Sequence, residues 1–124
     1  MKKVMVVDDD ESIRKTLGLL LKRKGCEVAL APCGEDCLRT LREGFLGVIL
    51  MDIMMPGLTG WQTIRAIADE NLMDGVLICM LTAKAYSGSE AEGLEKYVFD
   101  YLAKPFEIAQ LMACVENAAA FLVA

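Results

Sequence analysis

Gly47-Val48-Ile49-Leu50-Met51-Asp52 is the run on which the reading of this chain turns. Four successive hydrophobes, with no polar residue among them, do not alternate as a half-exposed strand would. They are the pattern of a strand buried on both faces, as in a parallel sheet covered on each side by helices. The run then stops on a carboxylate, Asp52. Pro56-Gly57 and Gly60 follow and mark a loop. Working outward, the same pattern recurs. Val4 to Val7 is apolar and ends in Asp8-Asp9-Asp10. Val76 to Leu81 is apolar and is closed by Thr82. Phe99 to Ala103 precedes Lys104-Pro105-Phe106, and Cys26 to Leu30 supplies a further strand.

Between these strands the apolar spacing changes to that of helices. Ile13, Leu17, Leu20 and Leu21 make one stripe, with Ser12 near its start and Gly25 after the basic run Lys22-Arg23-Lys24. Glu35 to Arg42 places Cys37, Leu38 and Leu41 inward. Trp61, Ile64, Ile67 and Ala68 form a third stripe, on which Trp61 reads as a packing residue. Ser87 to Glu95 is a weak helix, with Gly88 and Gly93 in it. Ile108, Leu111, Met112, Val115, Ala119 and Leu122 line the last. Strands alternating with helices five times imply parallel strands joined by right-handed crossovers, so the expected fold is α/β: a five-stranded parallel sheet flanked by five helices. The 124 residues fit one domain, 1–124.

Composition narrows the function. No apolar run approaches the roughly 20 residues of a membrane span. The apolar stretch after Met1-Lys2-Lys3 is too short for a signal peptide, and a cytoplasmic location is expected. The net charge of −5 and the lack of a basic stripe argue against direct nucleic-acid binding. There is no histidine, which excludes histidine acid–base chemistry on this chain. The five cysteines (Cys26, Cys33, Cys37, Cys79, Cys114) form no CxxC pair and read as reduced packing residues.

Sites in open parallel sheets form beyond the C-terminal strand ends, and that is where the unusual residues fall: Asp8, Asp9 and Asp10, then Asp52, Thr82 and Lys104. Clustered carboxylates repel one another unless a cation joins them. Magnesium, a hard ion that takes one or two carboxylates plus water and phosphate oxygens, meets that need. A metal, an ammonium and a hydroxyl together clamp a phosphoryl group, and a carboxylate can itself become an aspartyl phosphate. Any one of these residues alone is more simply a helix cap or a turn; their joint occurrence at four strand ends is the specific signal.

The segments Val6-Val7-Asp8-Asp9-Asp10-Glu11-Ser12-Ile13-Arg14, Leu50-Met51-Asp52-Ile53-Met54-Met55-Pro56-Gly57, Leu81-Thr82-Ala83 and Asp100-Tyr101-Leu102-Ala103-Lys104-Pro105-Phe106 resemble receiver domains of two-component response regulators, over essentially the whole chain. The resemblance implies a flavodoxin-like strand order 2-1-3-4-5. It implies a phosphoacceptor signalling switch rather than an enzyme, with Asp52 taking a phosphoryl group from a sensor histidine kinase or a histidine phosphotransfer protein. Mg2+ would be held by Asp9 and Asp52, by Asp8 through water, and by the backbone carbonyl of Met54. Thr82 and Lys104 would contact the phosphoryl oxygens, and Tyr101 would turn inward as Thr82 moves. Lys104-Pro105 would be cis. The readout face would be the predicted fourth helix, fifth strand and last helix, acting on a downstream protein target and open to a phosphorylation-dependent homodimer. Tyr97-Val98 stands where the family has Gly-Ala, which adds an aromatic near that face. Met54 and Lys84 occupy positions that tune phosphoryl loss. Two other readings are a phosphate-independent interaction module and a magnesium phosphohydrolase. The second normally needs Asp-x-Asp, which Asp52-Ile53-Met54 lacks.

Overall fold

In a computed structural model, residues 2–83, 91 and 93–123 are described. The chain runs β1 (Lys3–Val7), α1 (Glu11–Arg23), β2 (Glu27–Ala31), α2 (Gly34–Arg42), β3 (Gly47–Asp52), α3 (Gly60–Asp69), β4 (Val76–Thr82), a short 3-10 turn at Glu95–Tyr97, β5 (Val98–Ala103) and α4 (Ile108–Val123). The five strands are all parallel, in the order β2-β1-β3-β4-β5. Among the described residues there are four α-helices. Of the helix expected over Ser87 to Glu95, residues 87–90 and 92 lie outside the described residues, as does Lys84, so the last helix is numbered α4.

The unbroken hydrophobicity of the central strands is explained by two cores. Met5 and Val7 of β1, Ile49 and Met51 of β3, and Ile78 and Met80 of β4 point to one face, where they meet Cys37, Leu38 and Leu41 of α2 and Trp61, Ile64 and Ile67 of α3. Their neighbours Val4, Val6, Val48, Leu50, Cys79 and Leu81 point the other way, onto Leu17 and Leu21 of α1 and Leu111, Val115 and Ala118 of α4. Period-two geometry hands alternate residues to opposite faces, and helices cover both, so neither face can be polar.

The edges differ from the sequence expectation. The strand expected over Cys26 to Leu30 spans Glu27–Ala31; it is an edge strand and Leu30 is 44% exposed. On α4, Ile108 was placed on the inward stripe and is exposed at the first turn, while Cys114 and Ala118 are buried. Tyr97 is half-buried against the α2–α3 core. Trp61 is packed inward as expected.

Local chemistry sets the helix starts. The cap of α1 is Asp10, whose side chain accepts the Ile13 N–H at 3.1 Å; Ser12, expected near the start, lies within the first turn. The start of α3 is a capping box: Thr59 Oγ1 accepts the Gln62 N–H and Gln62 Oε1 accepts the Thr59 N–H. Immediately after that cap, the Gly60 N–H donates to the Ile53 carbonyl at 2.7 Å. A Cβ on Gly60 would stand 2.7 Å from the Asp52 carbonyl oxygen and 2.9 Å from the Ile53 Cα, so only glycine lets α3 begin this close to the end of β3.

Candidate functional site

Parallel register brings the strand ends together. Val7 pairs with Met51, Asp52 with Leu81, and Thr82 with Ala103, so the residues at or just beyond these positions emerge along one edge of the sheet. Asp8, Asp9, Asp52, Thr82 and Lys104, from four strand ends and nearly the full length of the chain, are thereby brought to one edge of the sheet. The Thr82 carbonyl accepts the Lys104 N–H at 2.6 Å, which pins the β5 end beside β4. The Lys104-Pro105 bond is cis, as expected.

The three carboxylates Asp8, Asp9 and Asp52 each offer an oxygen within 4.8 Å of the others. Asp8 is almost fully buried, Asp52 is largely buried and Asp9 is exposed. The Lys104 ammonium lies between two of them, 3.3 Å from Asp8 Oδ2 and 3.6 Å from Asp52 Oδ2. Burial pushes the Asp52 carboxyl above the usual carboxylate range. Lys104 and a Met54 backbone hydrogen bond pull it down, and the charges of Asp8 and Asp9 push it up. One ammonium thus faces three acids, and the remaining negative charge is of the kind a hard divalent cation with oxygen ligands neutralises. The donor set is all carboxylate oxygen, with the Met54 main chain next to it, and it fits magnesium chemistry.

Asp10 was grouped with Asp8 and Asp9 at the end of the first strand, but its side chain is used in the helix cap. Tyr101 lies on β5, 44% exposed, with its ring centroid 6.2 Å from that of Trp61. Met54 projects into solvent and is 70% exposed.

Two contributors were not singled out from the sequence. The Arg14 guanidinium donates to the Asp8 carbonyl at 2.8 Å, and the Asp10 N–H donates to Asp8 Oδ1 at 2.9 Å, so Asp8 is held from both its main chain and its side chain. The signal for Arg14 was present: a cation in the first turn of a helix opposes the helix dipole and needs a local partner. The other is Gly60, whose role depends on a close approach that spacing does not reveal.

The family model for the response regulator receiver domain matches residues 4–116. The chain is 36% identical over 114 residues to Protein PilG of Pseudomonas aeruginosa, covering 92% of this chain and 84% of PilG. Of other curated relatives, among them DNA-binding response regulators, it spans about half the length. Among solved structures, a CheY-like receiver domain protein from Methanospirillum hungatei superposes with a TM-score of 0.94 at 42% identity, over 98% of this chain and 97% of that one. Response regulator protein TrrA from Thermotoga maritima, solved in complex with Mg(2+)-BeF, gives 0.80 at 30% identity, over 95% and 99%. With a family match over most of its length, close relatives in sequence and structure, and the strand-end acids in one cluster, the chain belongs to the receiver domains of two-component response regulators.

Proposed function

We propose that this receiver domain is a magnesium-dependent phosphoacceptor with Asp52 as the phosphorylated residue. The reading rests on one arrangement: the Lys104 ammonium set between buried Asp8 and Asp52, with Asp9 completing a group of three acids. A carboxylate oxygen of Asp52 attacks the phosphorus of a phosphohistidine on a sensor kinase or phosphotransfer protein. The P–N bond breaks as the P–O bond forms, and the imidazole leaves. Asp9 and Asp52, with Asp8 through water and the Met54 main-chain carbonyl, would hold Mg2+, which would supply charge neutralisation at the phosphoryl oxygens. Lys104 pairs with one phosphoryl oxygen and the Thr82 hydroxyl donates to another. The motion of Thr82 toward the phosphate opens space into which Tyr101 turns, shifting the population toward a signalling state read by a downstream protein. The Mg(2+)-BeF complex reported for TrrA is consistent with this assignment.

Intact-protein mass after incubation with acetyl phosphate tests the reading. The expected result is a gain of one phosphoryl group with magnesium and none in excess EDTA. Absence of uptake in a folded protein that still binds magnesium would support a phosphate-independent interaction module instead.

A second outcome concerns how long the group persists. Met54, exposed two residues beyond Asp52, has no polar atom on its side chain to orient an attacking water. Met54→Asn is expected to speed loss of the phosphoryl group several-fold, on the order of what positioning one water contributes. Radiolabel decay after removal of the donor measures it, and an unchanged half-life would refute the role.

A further inference from the structure

Cys79 and Cys114 lie far from the acid cluster in sequence and serve no part of the proposed phosphoryl chemistry. Cys79 is on β4, three residues before Thr82, and Cys114 is near the middle of α4. Both belong to the core between the sheet and the α1–α4 layer, with exposures of 0% and 4%. Their sulfurs are 2.9 Å apart and share a hydrogen bond. That separation is short enough for a modest side-chain adjustment to reach the S–S bond length of about 2.05 Å. A buried thiol pair packed only for shape would be expected to sit no closer than other core atoms, which meet at about 3.5–4.0 Å.

We propose that Cys79 and Cys114 are an oxidisable dithiol which closes to an intramolecular disulfide and ties α4 to β4. The oxidant is a hydroperoxide. The Cys114 sulfur, the more exposed of the two, attacks the peroxide oxygen, the O–O bond breaks, and a sulfenic acid forms with release of water. The Cys79 thiol attacks that sulfur, the S–S bond forms, and the sulfenic oxygen leaves as a second water. Two thiols are oxidised by two electrons, and one hydrogen peroxide is reduced to two waters. The pairing also favours Cys114 as the first to ionise. The contact with Cys79 lowers the pKa of Cys114, while the contact with Cys114 and burial raise that of Cys79. The bridge closes across a separation of 35 residues and fixes α4 to the strand that carries Thr82.

The test uses the folded chain treated with hydrogen peroxide, then denatured, alkylated with N-ethylmaleimide and digested. Of the five cysteines, two are expected to escape alkylation until reductant is added. Peptides bearing Cys79 and Cys114 are expected to be joined, and the midpoint of thermal unfolding to rise by several degrees and fall back with dithiothreitol. In Cys114→Ala and in Cys79→Ala the joined peptide and the reversible shift are expected to be absent. Full alkylation of Cys79 and Cys114 after oxidation of the wild-type protein would overturn the proposal. So would a bridge formed by another pair, such as Cys33 with Cys37.

Discussion

Asp52→Asn is expected to reduce phosphoryl uptake from acetyl phosphate to background, a loss of at least roughly a hundredfold, because an amide oxygen cannot form the acyl phosphate. The same variant is expected to be more stable than the wild type when metal is absent. The reason lies in the energetics of the cluster. Burial is the main cause raising the Asp52 carboxyl above its ordinary range, helped by Asp8 and Asp9 and opposed by Lys104. A group whose pKa is higher folded than unfolded binds protons preferentially in the folded state. Its contribution is therefore most favourable below its unfolded pKa, about 3.9, and turns unfavourable as pH climbs through the raised value. Near pH 7 in EDTA, wild type carries that full penalty and Asp52→Asn does not. Thermal unfolding followed from pH 7 down to pH 4 is expected to show the variant ahead at neutral pH and the gap closing with acid. A variant no more stable than wild type at pH 7 would show that Lys104 already offsets the burial of the charge. With magnesium added, the order is expected to reverse, since a ligand that binds only the folded state stabilises it and the variant has lost one of its carboxylates.

The second large effect is expected at a residue with no side chain. Gly60→Ala places a methyl group 2.7 Å from the Asp52 carbonyl oxygen, 2.9 Å from the Ile53 Cα and 2.9 Å from Met80 Cε. The methionine can move aside, but the two backbone contacts cannot yield without shifting β3 or α3. Overpacking of this kind costs about 1–3 kcal/mol, and the upper end is expected here because the obstruction is main chain. In a chain of this size that corresponds to a fall of roughly 10 °C in the unfolding midpoint. The shift also displaces the Asp52 backbone, so magnesium affinity is expected to fall in molecules that remain folded. A crucial comparison is Gly57→Ala in the same loop. Gly57 has φ +76° but nothing within 4 Å of the added carbon, so it carries backbone strain without a clash and is expected to leave metal affinity near that of the wild type. Equal losses of affinity in the two variants would mean that general loosening of the loop, and not the approach at Gly60, controls the site.

Much of this architecture could be read in the residues. Val48 to Met51 and Ile78 to Leu81 are apolar without alternation because both faces are covered, and sequence displays that directly. The placement of Asp8, Asp52, Thr82 and Lys104 at strand ends was equally legible, since parallel strands starting in register finish in register. What was not legible depended on geometry between elements. Asp8, Asp9 and Asp10 are chemically the same residue, and only the entry angle of α1 separates the helix cap from the two members of the cluster. The half-exposure of β2 follows from its position at the sheet edge, which hydrophobicity alone does not encode. On α4, Leu111, Cys114, Val115 and Ala118 are buried while Ile108, in the first turn, is exposed. Gly60 resembled any loop glycine until its neighbours were known.

The Lys104–Asp8 contact joins residues 96 positions apart. During synthesis Asp8, Asp9 and Asp52 leave the ribosome long before the segment that brings their ammonium partner. An incomplete chain ending before β5 therefore holds three converging acids with no lysine between them, and the loop that must close to supply it is among the longest the chain permits. Docking of β5 against β4 brings the ammonium between the acids and relieves their repulsion, so a balanced acid cluster is the mark of a chain whose fifth strand is in place.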